Sequence, residues 1–145
     1  MPTFVAGVHE VAVTGSAVFV SSIGQLGMAA SSARFKEAIK PMDKASEALF
    51  ALKPVKFRYK KYLDPVGMQQ FGLVAEDVER VNPDLVVRDN KGKIYSVRYD
   101  QVNAMLLNEF VKEHKTVQEQ GATIIELKKQ VKALTAGLQK SERTA

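Results

Sequence analysis

The chain has 145 residues, 46% of them hydrophobic, and a formal charge of +5 from 21 Lys and Arg against 16 Asp and Glu; this is apolar material for one ordinary core plus an extension, and too much for a disordered chain. The absence of cysteine excludes disulfides, thiolate metal sites and cysteine catalysis, and His9 and His114 stand too far apart, with no carboxylate cluster around either, for a metal or cofactor to be expected. No run approaches the ~20 apolar residues of a membrane helix, the first residues lack the charged region of a secretory signal, and the basic residues are spread along the chain, so neither a membrane nor a nucleic acid is expected as a partner.

In chain order, residues 3–27 come first and are the least like the rest. Thr3, Val5, Val8, Val11, Val13, Val18, Phe19, Val20 and Ile23, punctuated by Gly7, Gly15, Gly24 and Gly27, predict short strands joined by turns. Almost no charge protects their edges, so the segment wants copies of itself or a longer β-structure upstream. Met42, Ala45, Ala48, Leu49 and Leu52 then recur at helical spacing behind Asp43, a candidate N-cap. Pro54 ends that helix and opens a strand carrying Val55, Phe57 and Tyr59. Phe71 to Ala75 reads as a buried strand, and Glu76 to Val81 as a short helix stopped by Asn82-Pro83. Leu85 to Val87 and Ile94 to Val97 form a hairpin across Asp89-Asn90-Lys91-Gly92. Strands in hairpins with helices to one side make an α+β unit. The isolated Gly67, Gly72 and Gly92 supply no phosphate loop, which argues further against a doubly wound nucleotide-binding sheet.

From Asp100 onward the pattern is one long helix. In alternating steps of three and four, Leu106, Phe110, Val117, Ile124, Leu127, Val131, Leu134 and Leu138 fall on one seam, interrupted at Glu113 and Gln120. This predicts a coiled coil of roughly five heptads. The seam outruns what a small domain can cover, so self-association is expected. Val or Ile at a with Leu at d favours a parallel dimer, whereas Phe110, Glu113 and Gln120 break that rule and leave the number of strands open. The expected organisation is a β segment over 1–30, an α+β domain over 31–100 and a coiled-coil helix over 101–145.

Between the β segment and the first helix lies Ala29-Ala30-Ser31-Ser32-Ala33-Arg34-Phe35-Lys36-Glu37. A serine at such a junction serves equally well as a linker or an N-cap. Its surroundings are more specific: Ser31-Ser32-x-Arg34-x-Lys36 is followed by Ile39, Leu49, Pro54-Val55-Lys56-Phe57, Phe71-Gly72-Leu73-Val74-Ala75-Glu76-Asp77-Val78-Glu79, Asn82-Pro83-Asp84-Leu85-Val86 and the stretch from Tyr99 to Leu107. In that order and with those gaps, the chain over about 31 to 140 resembles the intramolecular chaperone family of phage endosialidases and tail fibres.

The resemblance implies a module that trimerises, templates the folding of an upstream triple β-helix or similar fibre, and releases itself by cutting just before the motif serine. Carried over, the scissile bond joins Ala30 to Ser31, Ser31 is the nucleophile, Lys36 its partner, and Ser32 and Arg34 complete the motif. It also implies that the long helix is a trimeric coiled coil, that the β segment is the end of a trimeric β-fibre or β-helix, and that the partners are copies of the chain and its own upstream fibre. Synthesis in a bacterial cytoplasm is implied, with the mature passenger on a virion tail or cell-surface fibre. Two positions depart from the family pattern: Ser32 stands where many members have Asp, and Ala33 where several have a second Arg, a change expected to slow processing. The alternative is a module that trimerises a fibre without cutting.

Physical chemistry sets two conditions on cutting. A lysine deprotonates a serine only as the neutral amine, so Lys36 needs an apolar setting, to which Phe35, Ile39 and a neighbouring subunit would contribute. Residues five apart sit about 140° around a helix, so either Ser31 lies in an extended or turned segment before the helix, or the lysine comes from another chain.

Overall fold

The computed structural model describes residues 5–8 and 11–144; Thr3 of the N-terminal strand-like run and His9 lie outside them. The chain divides into two units, Met1–Lys40 and Pro41–Ala145. In the first, the valine-rich run makes less regular structure than its composition suggests. Only β1 (Phe19–Val20) and β2 (Leu26–Gly27) pair, antiparallel, with Phe19 opposite Gly27 and Val20 opposite Leu26. Gly24 N donates to Ser21 O at 2.9 Å and Gln25 N to Ser21 Oγ at 3.0 Å, which closes the turn. The valines and Ile23 remain exposed. A two-stranded ladder with no covered face is marginal in water, so this hairpin has the sequence of a longer β-structure and only its beginning in hydrogen bonds.

The second unit is α+β, as the pattern predicts. A 3₁₀ helix (Asp43–Ala51) leads into β3 (Val55–Phe57), which pairs antiparallel with β4 (Gln70–Gly72). Helix α1 (Ala75–Val81) ends at Asn82, whose Oδ1 accepts from Asp84 N at 3.0 Å to start the single turn Pro83–Leu85. β5 (Val86–Arg88) and β6 (Ile94–Val97) form the last hairpin. Its turn is tied by Asp89 Oδ1, which accepts from Lys91 N at 2.8 Å and Lys93 N at 2.9 Å, and Gly92 supplies the positive φ of 77° that the reversal needs. Helix α2 (Tyr99–Thr144) then runs unbroken for 46 residues, about 69 Å at 1.5 Å per residue.

Three local expectations shift. Asp43 is not the N-cap: Met42 holds that position, and Asp43 lies inside the first turn with φ 46°. Its side chain caps nothing in that turn; instead its carbonyl accepts from Asn108 Nδ2 at 3.1 Å, and a short polar side chain tolerates the left-handed backbone this requires. Tyr59 lies beyond the end of β3. Phe71 is 76% exposed, not buried, because the hairpin has one covered face and Phe71 stands opposite Lys56 on the other.

Among the described residues the core consists of Val78, Leu85, Val86, Val97, Val102 and Met105, with Met42, Ala48, Leu49, Leu52, Leu73, Ala75 and Ile94 packed around it. At about 1.5–3 kcal/mol for each large side chain fully buried, so few residues support only a marginal fold. Two polar devices add to it. Leu73 N donates to Tyr99 Oη at 2.9 Å, which pins the start of α2 against β4. Ser46, fully buried at 0% exposure, accepts from Asn108 Nδ2 at 2.6 Å and donates to Glu109, whose Oε1 also receives Lys112 Nζ at 2.7 Å. This cluster locks the 3₁₀ helix to α2. The Lys112 hydrogen bond first, and the Ser46 hydroxyl second, hold the Glu109 carboxyl below its ordinary range.

Each device gives a test. A Cβ on residue 72 would lie 2.7 Å from Tyr99 Oη, so Gly72→Ala should destabilise the unit by about 1–3 kcal/mol in urea melts. Tyr99→Phe removes the obstructing hydroxyl, so the penalty of Gly72→Ala should shrink in that background; strict additivity of the two changes is the contrary result. For Glu109, a folded pKa below the unfolded one means that its contribution is complete above the usual carboxylate range and fades as pH falls through the lower, folded value. The Tm difference between wild type and Glu109→Gln should therefore be larger at pH 7 than at pH 3, and a difference independent of pH would contradict it.

Candidate functional site

Ser31 and Lys36 flank one short 3₁₀ turn, Ala33–Phe35. Ser32, before it, is extended (φ −61°, ψ 142°), and Lys36, after it, is extended too (φ −124°, ψ 144°), while Phe35 N and Lys36 N donate to the carbonyls of Ser32 and Ala33, each at 3.0 Å. An extended residue on either side of a single tight turn folds the segment back on itself. Lys36 Nζ consequently reaches Ser31 Oγ at 3.3 Å, with the amine donating. Of the two arrangements the helix angle allows, the chain has the one in which Ser31 precedes the helix and lies within reach of the lysine of its own chain.

The apolar setting for the lysine is not supplied by the described residues. Ser31, Ser32, Lys36 and the flanking Ala30 are all exposed, as are Phe35 and Ile39, the two apolar side chains expected to shield the lysine. Phe35 is engaged elsewhere, its ring lying 4.5 Å from the Arg34 guanidinium carbon. Arg34 is thus drawn to the aromatic ring, and its motif neighbour Ser32 makes no side-chain cap to the turn. For general-base work the proton must run from Ser31 Oγ to a neutral Lys36 amine, the reverse of the hydrogen bond observed, and only a drier setting favours that direction.

The second unit carries an open apolar groove of about 520 Å³ between the 3₁₀ helix, the β3–β4 hairpin and the first turns of α2, with Leu49, Leu52, Val55, Phe71, Leu73 and Leu106 among its walls. Farther along α2, the seam residues Phe110, Val117, Ile124, Leu127, Val131, Leu134 and Leu138 are exposed. Among the described residues no group of His and carboxylates is placed to hold a metal ion, and no helix is long and apolar enough to cross a membrane.

Residues 31–87 match the model of the chaperone-of-endosialidase family. The match covers about two-fifths of the chain and opens on Ser31 itself. It supports a chaperone role, and the family is also named as a peptidase. No curated protein is similar enough to the chain to count as a match.

Sequence reasoning missed the Ser46–Asn108–Glu109–Lys112 cluster. Its members stand more than sixty positions apart across the pairing, so no local spacing announces it. The one signal was Ser46 itself, a hydroxyl on the apolar face set by Met42 and Leu49.

Proposed function

We propose that this chain is an intramolecular chaperone that assembles as a homotrimer through α2 and its α+β unit, templates the folding of its own upstream β-fibre, and then frees itself by cutting between Ala30 and Ser31. The observation that carries the cleavage is the 3.3 Å contact between Lys36 Nζ and Ser31 Oγ, made at the residue where the family match begins. Ser31 Oγ attacks the Ala30 carbonyl carbon as Lys36 takes the hydroxyl proton. The peptide C–N bond breaks, the Ser31 nitrogen leaves as an amine after taking that proton back from Lys36, and Ala30 is held as an ester on Oγ. Water then hydrolyses the ester, giving an Ala30 carboxylate and restoring the Ser31 hydroxyl. The reaction turns over once per chain.

The exposure of Ser31 and Lys36 ties this chemistry to assembly, because neighbouring copies or the folded fibre supply the apolar cover that one chain lacks. The same exposure is what favours the second reading, a trimerising module of a fibre protein that never cuts. Synthesis in a bacterial cytoplasm and a passenger on a virion tail or cell-surface fibre follow from the chaperone assignment. No nucleic acid is involved.

Intact-mass measurement separates the two readings: wild type should yield fragments 1–30 and 31–145, and Ser31→Ala and Lys36→Ala should each yield only the full chain. Because the pair forms within one chain, mixing the two variants should leave them uncut, whereas restored cutting would move the lysine to a neighbour. Assembly coupling is tested by ending the chain after Glu113, which keeps Val102, Met105 and Lys112 and hence the core and the polar cluster. That chain should retain a cooperative thermal melt and lose cleavage at Ser31; efficient cleavage by a folded, truncated monomer would refute the coupling.

A further inference from the structure

The groove of the second unit opens on the same side of α2 as the coiled-coil seam. Counting back from Phe110 in steps of seven and in alternating fours and threes, the a and d positions continue through Leu106 and Asn103 to Tyr99. These three residues line the groove. The g positions of the same helix, Val102 and Glu109, face the body of their own chain: Val102 is in the core, and Glu109 is bonded to Ser46. Each α+β body therefore sits on the g flank of its own helix.

In a parallel coiled coil the g flank of one helix faces the e flank of the next, a g residue meeting the e residue five positions further along the partner. For Val102 that residue is Leu107 of the neighbouring copy. Position e ordinarily carries a charged or polar side chain; here it carries a leucine that is 63% exposed in the single chain. The next e positions, His114, Gly121, Lys128 and Thr135, contain no other large aliphatic residue. The single aliphatic e residue falls at the level of the groove.

We propose that this groove is a socket for Leu107 of a neighbouring copy, so that the α+β body of one chain grips the helix of the next and the assembly is closed in trans around the top of the coil. The inference rests on the parallel coiled coil proposed above. It accounts for three otherwise unrelated features, namely the open groove, the exposed Leu107 and the entry of the seam into the groove at Leu106, Asn103 and Tyr99. It also gives each copy the same contact in the same sense, head to tail, which closes as a ring.

The absence of cysteine makes the test direct. Chains carrying Lys56→Cys, at the groove wall, are mixed during refolding with chains carrying Leu107→Cys and treated with a short thiol-reactive cross-linker. Val131→Cys, at an a position far down the coil, is treated alone as a report on the coil. Coupling between the two different chains supports the socket. Coupling of Val131→Cys without any between positions 56 and 107 overturns the socket and leaves the coil standing. Failure of both overturns both, and coupling of 56 to 107 alone keeps the contact between copies while removing the parallel coil. As a second readout, Leu107→Asp should raise the concentration for half-assembly by about tenfold or more, the cost of leaving one buried leucine in water, with the melt of the monomeric unit unchanged; an unchanged assembly midpoint would also overturn the socket.

Discussion

One continuous helix serves two surfaces. On one face of α2, Val102 and Met105 complete the core of the α+β unit and Glu109 and Lys112 anchor the 3₁₀ helix through Ser46; on an adjacent face, Leu106 at the groove and Phe110 beyond it begin an apolar seam that stays largely exposed. Because no proline interrupts the helix, the two faces are rigidly phased, and whatever covers the seam holds the α+β unit at a fixed angle around it. A small core makes this phasing thermodynamic as well as geometric. The fold is marginal by itself, so apolar surface buried on association stabilises the folded state directly. In the proposed trimer, folding of the unit and association of copies are then coupled.

The Ser31–Lys36 contact shows why geometry and reactivity are separate requirements. A single 3₁₀ turn between two extended residues brings the side chains together without help from the rest of the chain. Both side chains stand in water, and the contact alone does not supply the neutral amine that attack requires. Local sequence thus supplies the contact, and in the proposed reaction exclusion of water would supply the reactivity. For the proposed cleavage an order of events follows: the described residues of one chain leave the pair in water, so cutting would wait for the structure it is meant to follow.

The legible and illegible parts of the sequence divide along the same physical line. Helical and strand periods, the Asn82-Pro83 stop and the Asp89 to Gly92 turn depend on neighbours a few residues away, and these placed α1, α2 and the β5–β6 hairpin to within about a residue. The angle between residues five apart left two arrangements for Ser31 and Lys36, one ahead of the helix and one between chains, and only the structure shows the first. What failed depended on the other side of a contact. Phe71 was read as buried from its apolar run, although the hairpin has one covered face. Asp43 was read as a cap from its place before an apolar stripe, although its backbone answers to Asn108 across the unit. The Ser46 cluster is wholly a matter of distant partners, and only a hydroxyl out of place on an apolar face hinted at it.

The proposed reaction also contains its own stop. Before cutting, the Ser31 nitrogen is a neutral amide; afterwards it is an α-amino group, with a pKa near 8 in water. As that group takes up a proton, a positive charge appears on the same residue whose hydroxyl lies against the Lys36 amine. That new charge beside the lysine side chain disfavours the close approach of the two groups once water returns. The arrangement that favoured attack is thereby lost with the product's charge. Rejoining Ala30 to Ser31 would require the α-amino group to be neutral and the site dry at the same moment. If the module folds a client and then departs, as proposed, it needs both properties, a trigger that waits for assembly and a product disfavoured from returning, and in the proposed reaction one serine and one lysine five residues on would supply the chemistry for each.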